Sequence, residues 1–185
     1  MLDLKKIDKS WTLFLDRDGV INHEKEQDYI YNYTEFVFYE GAREALKIFA
    51  EIFPLIIIVT NQRGIGKGLM TENDLYNIHR KMLGDIQNNG GRIDKIYFNT
   101  SLNNDDPHRK PQTGMALLAK KDYPQIDFSR SIMVGNNISD MLFGKNTGMH
   151  TVFLKTTSPA QELPHFAIDL AFNSLIDFAK ALQKQ

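Results

Sequence analysis

The sequence predicts an α/β fold, a three-layer α/β/α sandwich built on a mostly parallel, Rossmann-like sheet. Short apolar runs alternate with longer amphipathic stretches, the pattern of repeated β-α units. One run, Leu55 to Val59, is unbroken and almost wholly β-branched, as suits a strand covered on both faces. Polar clusters follow several of these runs, and in a parallel α/β sheet ligands bind beyond the carboxyl ends of the strands.

In chain order, Trp11 to Leu15 reads as a first buried strand. The tyrosine-rich segment Asn22 to Tyr39 follows as an excursion beyond the sheet. Gly41 opens a helix with Ala42, Ala45, Leu46 and Phe49 at helical spacing. After the Leu55 to Val59 strand comes a glycine-rich loop, Arg63 to Gly68. Thr71 then caps a helix carrying Leu75, Ile78, Met82 and Ile86, which Gly90-Gly91 ends. Ile93 to Phe98 is a strand, the Asn/Asp-rich stretch to His108 a loop, and Thr113 to Lys121 a helix. Ser131 to Val134 and His150 to Leu154 are strands separated by a short helix from Ser139 to Asn146. Thr156 to Pro164 is a loop. The tail offers a weak strand at Ile168 to Phe172 and an amphipathic helix from Ser174.

Composition narrows the function classes. A chain of 185 residues with 42% hydrophobic and 24% charged residues is ordinary for one globular domain, here residues 1–185. The net charge of −1 gives no general attraction to nucleic acid or anionic membranes. The absence of cysteine removes disulfides, thiolate nucleophiles and cysteine-ligated zinc. No apolar run is long enough to span a bilayer, and the charged start is unlike a secretory signal, so the expected location is cytoplasmic. The expected partner is a small phosphorylated substrate; oligomeric state is left open.

The strand-end clusters suit phosphoryl transfer. Asp16, in Phe14-Leu15-Asp16-Arg17-Asp18-Gly19, can attack phosphorus and split hydrolysis into two displacements. Asp18, two residues on, can protonate the leaving oxygen and later deprotonate water. Thr60 and Asn61 can donate to phosphoryl oxygens, and Asn61, Gln62 and Arg63 are the expected substrate contacts at this strand end. Lys110 supplies a point charge for the transition state. Each motif alone has a plainer reading: Asp-x-Asp-Gly is usually a turn, and Arg109-Lys110 would more often be surface charges. The glycines at 64, 66 and 68 lack the spacing of a phosphate-binding P-loop; Arg63 and Lys67 are possible contacts to a second phosphate. The tyrosines at 29, 31 and 33 are more readily explained as packing than as a pocket lining. His23, His79, His150 and His165 show no ligand spacing and are assigned no catalytic role.

Taken together and in order, Asp16-x-Asp18-Gly19, Thr60 after an apolar strand, Lys110 and Gly135-x-x-x-x-Asp140 resemble the four motifs of haloacid dehalogenase superfamily phosphatases. Leu15 to Asn22, Thr60 to Gly68 and Arg109 to Met115 are similar, more narrowly, to the D,D-heptose 1,7-bisphosphate phosphatase branch, with histidinol-phosphate phosphatases as the nearest alternative. The resemblance implies a compact enzyme without a large cap domain. It also implies magnesium held by Asp16, by Asp18 through its backbone carbonyl, and by the fourth motif at Asn136 and Asp140. Arg109 would contact the substrate near the transferred phosphate.

Two departures matter. Most relatives carry Asp where Asn136 stands, so one negative charge is missing and weaker magnesium binding is expected. A phospho-ligand-binding protein with weak turnover is the alternative from another class. Relatives in this branch often carry a cysteine-histidine zinc loop before the Arg-Lys-Pro motif. Here Phe98 to His108 has no cysteine and one histidine. No structural zinc is expected, and turns with Asn/Asp side-chain hydrogen bonds must order the loop instead.

Overall fold

The computed structural model describes residues 2–157 and 161–184. Six strands form one sheet, all pairings parallel: β1 (Thr12–Leu15), β2 (Leu55–Asn61), β3 (Lys95–Asn99), β4 (Ser131–Gly135), β5 (His150–Leu154) and β6 (Leu170–Phe172). Their spatial order is β3-β2-β1-β4-β5-β6. The order reverses at β1, so β1 and β4 diverge at the point where a doubly wound sheet opens its ligand crevice. Register aligns the strand ends: Leu15 lies opposite Ile58 on one side and Val134 on the other.

Alternation along the strands supplies both faces. Leu13, Leu15, Ile56 and Ile58 meet α1 (Ala42–Ile52), α3 (Glu72–Asn88) and α6 (Leu175–Gln183) in the larger core cluster. Phe14, Ile57, Val59 and Met133 pack the other way, with Met115 and Ala119 of α4 (Gly114–Asp122) and Phe143 of α5 (Ile138–Thr147). The predicted three layers are therefore present, and no large cap domain is inserted among the described residues.

Most predicted elements appear within a few residues of their expected bounds. Thr71 does cap α3, in a reciprocal capping box with Asp74, an arrangement that stabilises a helix by about 1 kcal/mol. Arg63 to Gly68 differs. Its first part is a one-turn helix, α2 (Arg63–Gly66), where a glycine-rich loop was expected. The excursion after β1 contains a 3-10 turn, Tyr33–Glu35, and returns beside its own start through the Asn22–Phe38 bridge. Tyr33 reaches across to bond Asp85 of α3. Residues 158–160 of the predicted 156–164 loop lie outside the described residues. No described helix is long and apolar enough to cross a membrane.

Candidate active site

The carboxyl ends of β1, β2 and β4 converge on a cavity of about 210 Å³ lined by Asp16, Asp18, Thr60, Arg109, Lys110 and Asn136, among others. Backbone geometry brings them this close. Gly19 has a φ of +79°, and a Cβ there would lie 2.1 Å from the Asn136 amide nitrogen. Gly135 likewise leaves room for Asp140, whose carboxylate a Cβ would strike at 2.4 Å. These two glycines let the first and fourth motifs interlock.

Lys110 is the centre of the cavity's charge. Its Nζ lies 2.9 Å from Asp16 Oδ1 and 2.7 Å from Asp140 Oδ1, with all but 2% of the side chain buried. Burial opposes the ammonium charge, yet the Asp140 and Asp16 carboxylates raise its pKa overall. Burial likewise pushes the Asp16 carboxyl up, against the pull of Lys110 and with the help of Asp140, to about 7. Asp16 Oδ1 also accepts the Arg17 backbone N–H at 2.8 Å. Its Oδ2 carries no hydrogen bond among the described residues.

Asp18 lives in different surroundings. Arg17, 1% exposed, grips it through Nη2 at 2.8 Å to both oxygens and through Nε at 3.2 Å. Asn22 and Gln62 each add a donor at 2.9 Å. Although burial raises the Asp18 pKa, Arg17 and these side-chain donors lower it overall. Arg17 is itself anchored: its Nη1 lies 3.0 Å from His79 Nε2. His79 is buried on α3, and burial beside the Arg17 cation pushes its pKa down to about 3.

The remaining predicted residues divide into those facing the cavity and those holding it together. Thr60 Oγ1 accepts from Gln62 Nε2 at 2.9 Å, which leaves the threonine proton free to donate into the cavity. Asn61 lines the cavity, but its amide clamps the Lys110 backbone: Nδ2 donates to the carbonyl and Oδ1 accepts the N–H, both at 3.1 Å. Gln62, expected to touch substrate, is turned inward, its amide committed to Asp18 and Thr60. Asp140, expected at the metal, has each oxygen engaged, one by Lys110 and the other by the Asn137 N–H of its own helix cap.

Arg63 and Arg109 sit side by side against the Phe98 to His108 loop. Arg63 Nη2 donates to the Leu102 carbonyl at 3.0 Å and Arg109 Nη1 to that of Ser101 at 3.3 Å. Burial and the nearby Arg63 charge lower the Arg109 pKa. The loop is ordered as its composition implied: Asn99 bonds Asp106 and the Ser101 N–H, Asn103 the Asp105 N–H, and Asp106 the His108 N–H.

Asn136 gives the test of a cation site. Its Nδ2 donates to Thr157 at 2.6 Å, whereas its Oδ1 is buried without a partner among the described residues. An orphaned carbonyl oxygen in the cavity that the Asp16 carboxylate also lines is part of a donor set of the hard, oxygen-only kind that magnesium takes. Among the described residues no backbone N–H bonds the Asp18 carbonyl either. The residues therefore fit such an ion, although no group of three His, Cys, Asp or Glu with metal-site geometry occurs among the described residues.

Sequence reasoning missed Arg17 and His79. One available signal was a histidine bordering the apolar stripe of α3, between Ile78 and Met82. Glu24 was also missed; it lines the cavity mouth from the excursion.

A family model described as polynucleotide kinase 3 phosphatase matches residues 6–179. The chain is 39% identical over 146 residues to a D-glycero-alpha-D-manno-heptose-1,7-bisphosphate 7-phosphatase of Campylobacter jejuni, covering 79% of this chain and 83% of that protein. A Mycobacterium bovis protein of the same name is 34% identical over 180 residues, 93% of this chain and 91% of its own. Among solved structures, a D,D-heptose 1,7-bisphosphate phosphatase from B. bronchiseptica, complexed with magnesium and phosphate, aligns with a TM-score of 0.84. It covers 94% of this chain and 98% of its own at 24% identity, a likeness of fold.

Proposed function

The chain belongs to the haloacid dehalogenase superfamily of phosphatases, and we propose that it removes the 7-phosphate of a heptose 1,7-bisphosphate through an aspartyl-phosphate on Asp16. The observation that carries the chemistry is the Lys110 ammonium held 2.9 Å from Asp16 and 2.7 Å from Asp140 in the strand-end cavity. A lysine so placed favours the ionised nucleophile against the burial that raises its pKa, and it meets the phosphoryl oxygens as negative charge shifts in the transition state.

In this reading Asp16 Oδ2 attacks phosphorus while the ester oxygen departs. Thr60 donates its free proton to a phosphoryl oxygen. The charge of a bound phosphate dianion favours protonation of Asp18, which the Arg17 pair otherwise keeps ionised. Asp18 gives that proton to the leaving alkoxide, and the Arg17 pair stabilises the carboxylate that remains. It then takes a proton from water as the water attacks the aspartyl-phosphate, which regenerates Asp16 and releases phosphate. Asp16, the Asp18 carbonyl and Asn136 would hold magnesium, which when bound neutralises phosphoryl charge. Asp140 positions Lys110, and Asn61 fixes the Lys110 backbone.

The bisphosphate assignment is supported by the relatives' names and by the adjacent Arg63 and Arg109 guanidiniums. Arg63 Nε is buried and without a hydrogen-bond partner among the described residues. Two like charges held together suit a second anionic group on the substrate.

The test is phosphate release by the purified protein with magnesium, using heptose 1,7-bisphosphate and histidinol phosphate, with Asp16→Asn as control. Heptose 1-phosphate should accumulate, histidinol phosphate should persist, and Asp16→Asn should be inactive. Equal turnover of histidinol phosphate would remove the substrate assignment; undiminished Asp16→Asn activity would remove the nucleophile.

A further inference from the structure

Arg17 uses its guanidinium in two directions. Nε and Nη2 face Asp18, whereas Nη1 points away from the cavity to His79 Nε2 at 3.0 Å. A guanidinium has donors only, so His79 must present a lone pair at Nε2 and carry its proton on Nδ1. Both side chains are buried, at 1% and 5% exposure. A histidine is a costly choice for a position between Ile78 and Met82 unless its acceptor is needed, since a buried polar ring without a partner is destabilising. A carboxylate there would also hold Nη1, but it would compete with Asp18 for the Arg17 charge. Neutral His79 anchors the guanidinium and leaves its full charge to Asp18.

We propose that His79 is a positioning residue for acid–base catalysis: it fixes Arg17, and through Arg17 the orientation of the Asp18 carboxylate. The proposal rests on the assignment of Asp18 as the acid–base group. It makes α3 part of the catalytic apparatus, since His79 is supplied from that helix across 62 residues of sequence. The same ring borders Phe98 at 6.3 Å and lines an apolar surface groove of about 530 Å³ between α3 and β3, so it is reachable from solvent without passing the active site.

Leaving-group chemistry separates positioning from bulk structure. An alkyl phosphate needs its departing oxygen protonated, whereas p-nitrophenolate leaves without a proton. Wild type, His79→Gln and His79→Phe are compared on β-glycerophosphate and p-nitrophenyl phosphate, with magnesium, by kcat/KM. His79→Phe, which keeps ring volume without an acceptor, should lose about tenfold or more on β-glycerophosphate and less than about threefold on p-nitrophenyl phosphate. His79→Gln, which keeps an acceptor, should recover most of the loss. Equal losses on both substrates, or none on either, would overturn the proposal while leaving the phosphatase reading intact. A wild type inactive on both of these and on heptose 1,7-bisphosphate would overturn that reading and this one with it. Should His79→Phe not fold, His79→Ala with imidazole in the buffer asks the same question through the groove. Selective recovery of β-glycerophosphate turnover supports the proposal, and absence of recovery counts against it.

Discussion

Asp16 and Asp18 stand two residues apart at the end of β1, and the molecule surrounds them in opposite ways. Asp16 faces a lysine shared with a second carboxylate, and burial drives its pKa up to about 7. Asp18 faces an arginine fork, and its pKa is lowered despite burial. A lysine is a compact point charge that can follow a moving phosphoryl group; a guanidinium holds one carboxylate in one plane. The difference suits the distinct work the proposed mechanism gives the two carboxylates: one must be free to form a bond, the other must be aimed. It also predicts that disrupting each cluster has a different signature.

The largest effect is expected at Lys110. Lys110→Met leaves Asp16 and Asp140 as neighbouring buried carboxylates without a cation, so kcat should fall by about 100- to 1000-fold. Stability at neutral pH should drop by about 3 kcal/mol or more, because breaking a buried ion pair strands its partners. Lys110→Arg should not restore turnover, since a planar fork cannot replace the ammonium between two oxygens. Steady-state kinetics and denaturant melts check both halves. A Lys110→Met enzyme within tenfold of wild type would dissolve the distinction drawn between the two carboxylates.

Much of the Asp16 cluster was legible in the sequence, and little of the Asp18 cluster was. Asp16 and Thr60 stand at strand ends, Asp140 in the first turn of the helix after β4 and Lys110 in the loop between β3 and α4, and parallel topology sends every strand end to the same edge of the sheet. Their convergence follows once β1, β2 and β4 are recognised. The Arg17–His79 contact instead joins a strand end to the middle of a helix, and no periodicity reports which buried polar groups meet. Gln62 and Asn61 read as substrate contacts because amides suit phosphate. Their actual partners, Asp18 and the Lys110 backbone, lie 44 and 49 residues away. The short α2 helix was invisible for another reason: two glycines in four residues argue against helix, yet a Cβ at 64 or 66 would crowd Tyr29 or the Thr100 carbonyl, so tertiary packing requires them there. The order of the 98–108 loop, by contrast, followed directly from its Asn and Asp content.

The two clusters should also pull stability in opposite directions with pH, measured without divalent cations. Asp16 titrates near 7 when folded and near 3.8 when unfolded, so its contribution is present at low pH and lost as pH rises through 7. His79 is at about 3 folded and 6.5 unfolded, so its contribution is present above 6.5 and lost as pH falls toward 3. Between about pH 4 and 6.5 the two largely cancel, each at a slope of up to roughly 1.4 kcal/mol per pH unit. Asp16→Asn should therefore make stability rise with pH in this window, and His79→Gln should make it fall. Urea melts at three pH values read the slopes; parallel curves for the two variants would refute the contrast.

The smallest expected effect concerns the charge that this chain lacks. Asn136 offers a neutral oxygen where an additional carboxylate would strengthen the attraction for a divalent cation. Its Oδ1 is already buried and without a partner among the described residues, and Thr157 can turn its hydroxyl to donate when the Asn136 amide is replaced. Asn136→Asp should then lower the magnesium concentration for half-maximal activity by about tenfold, the scale of one added charge partly screened by Lys110. The gain should fade as pH drops below 7, because Asp16 must release its proton before it can share the ion. In the proposed site Asp18 enters only through its backbone, so Asp18→Asn should leave the magnesium requirement nearly unchanged while lowering turnover. Magnesium titrations of activity and of melting temperature on both variants separate the two. An unchanged or higher requirement in Asn136→Asp would mean that Asn136 lies outside the coordination sphere, and that the Asp16 cluster holds its cation without the fourth motif.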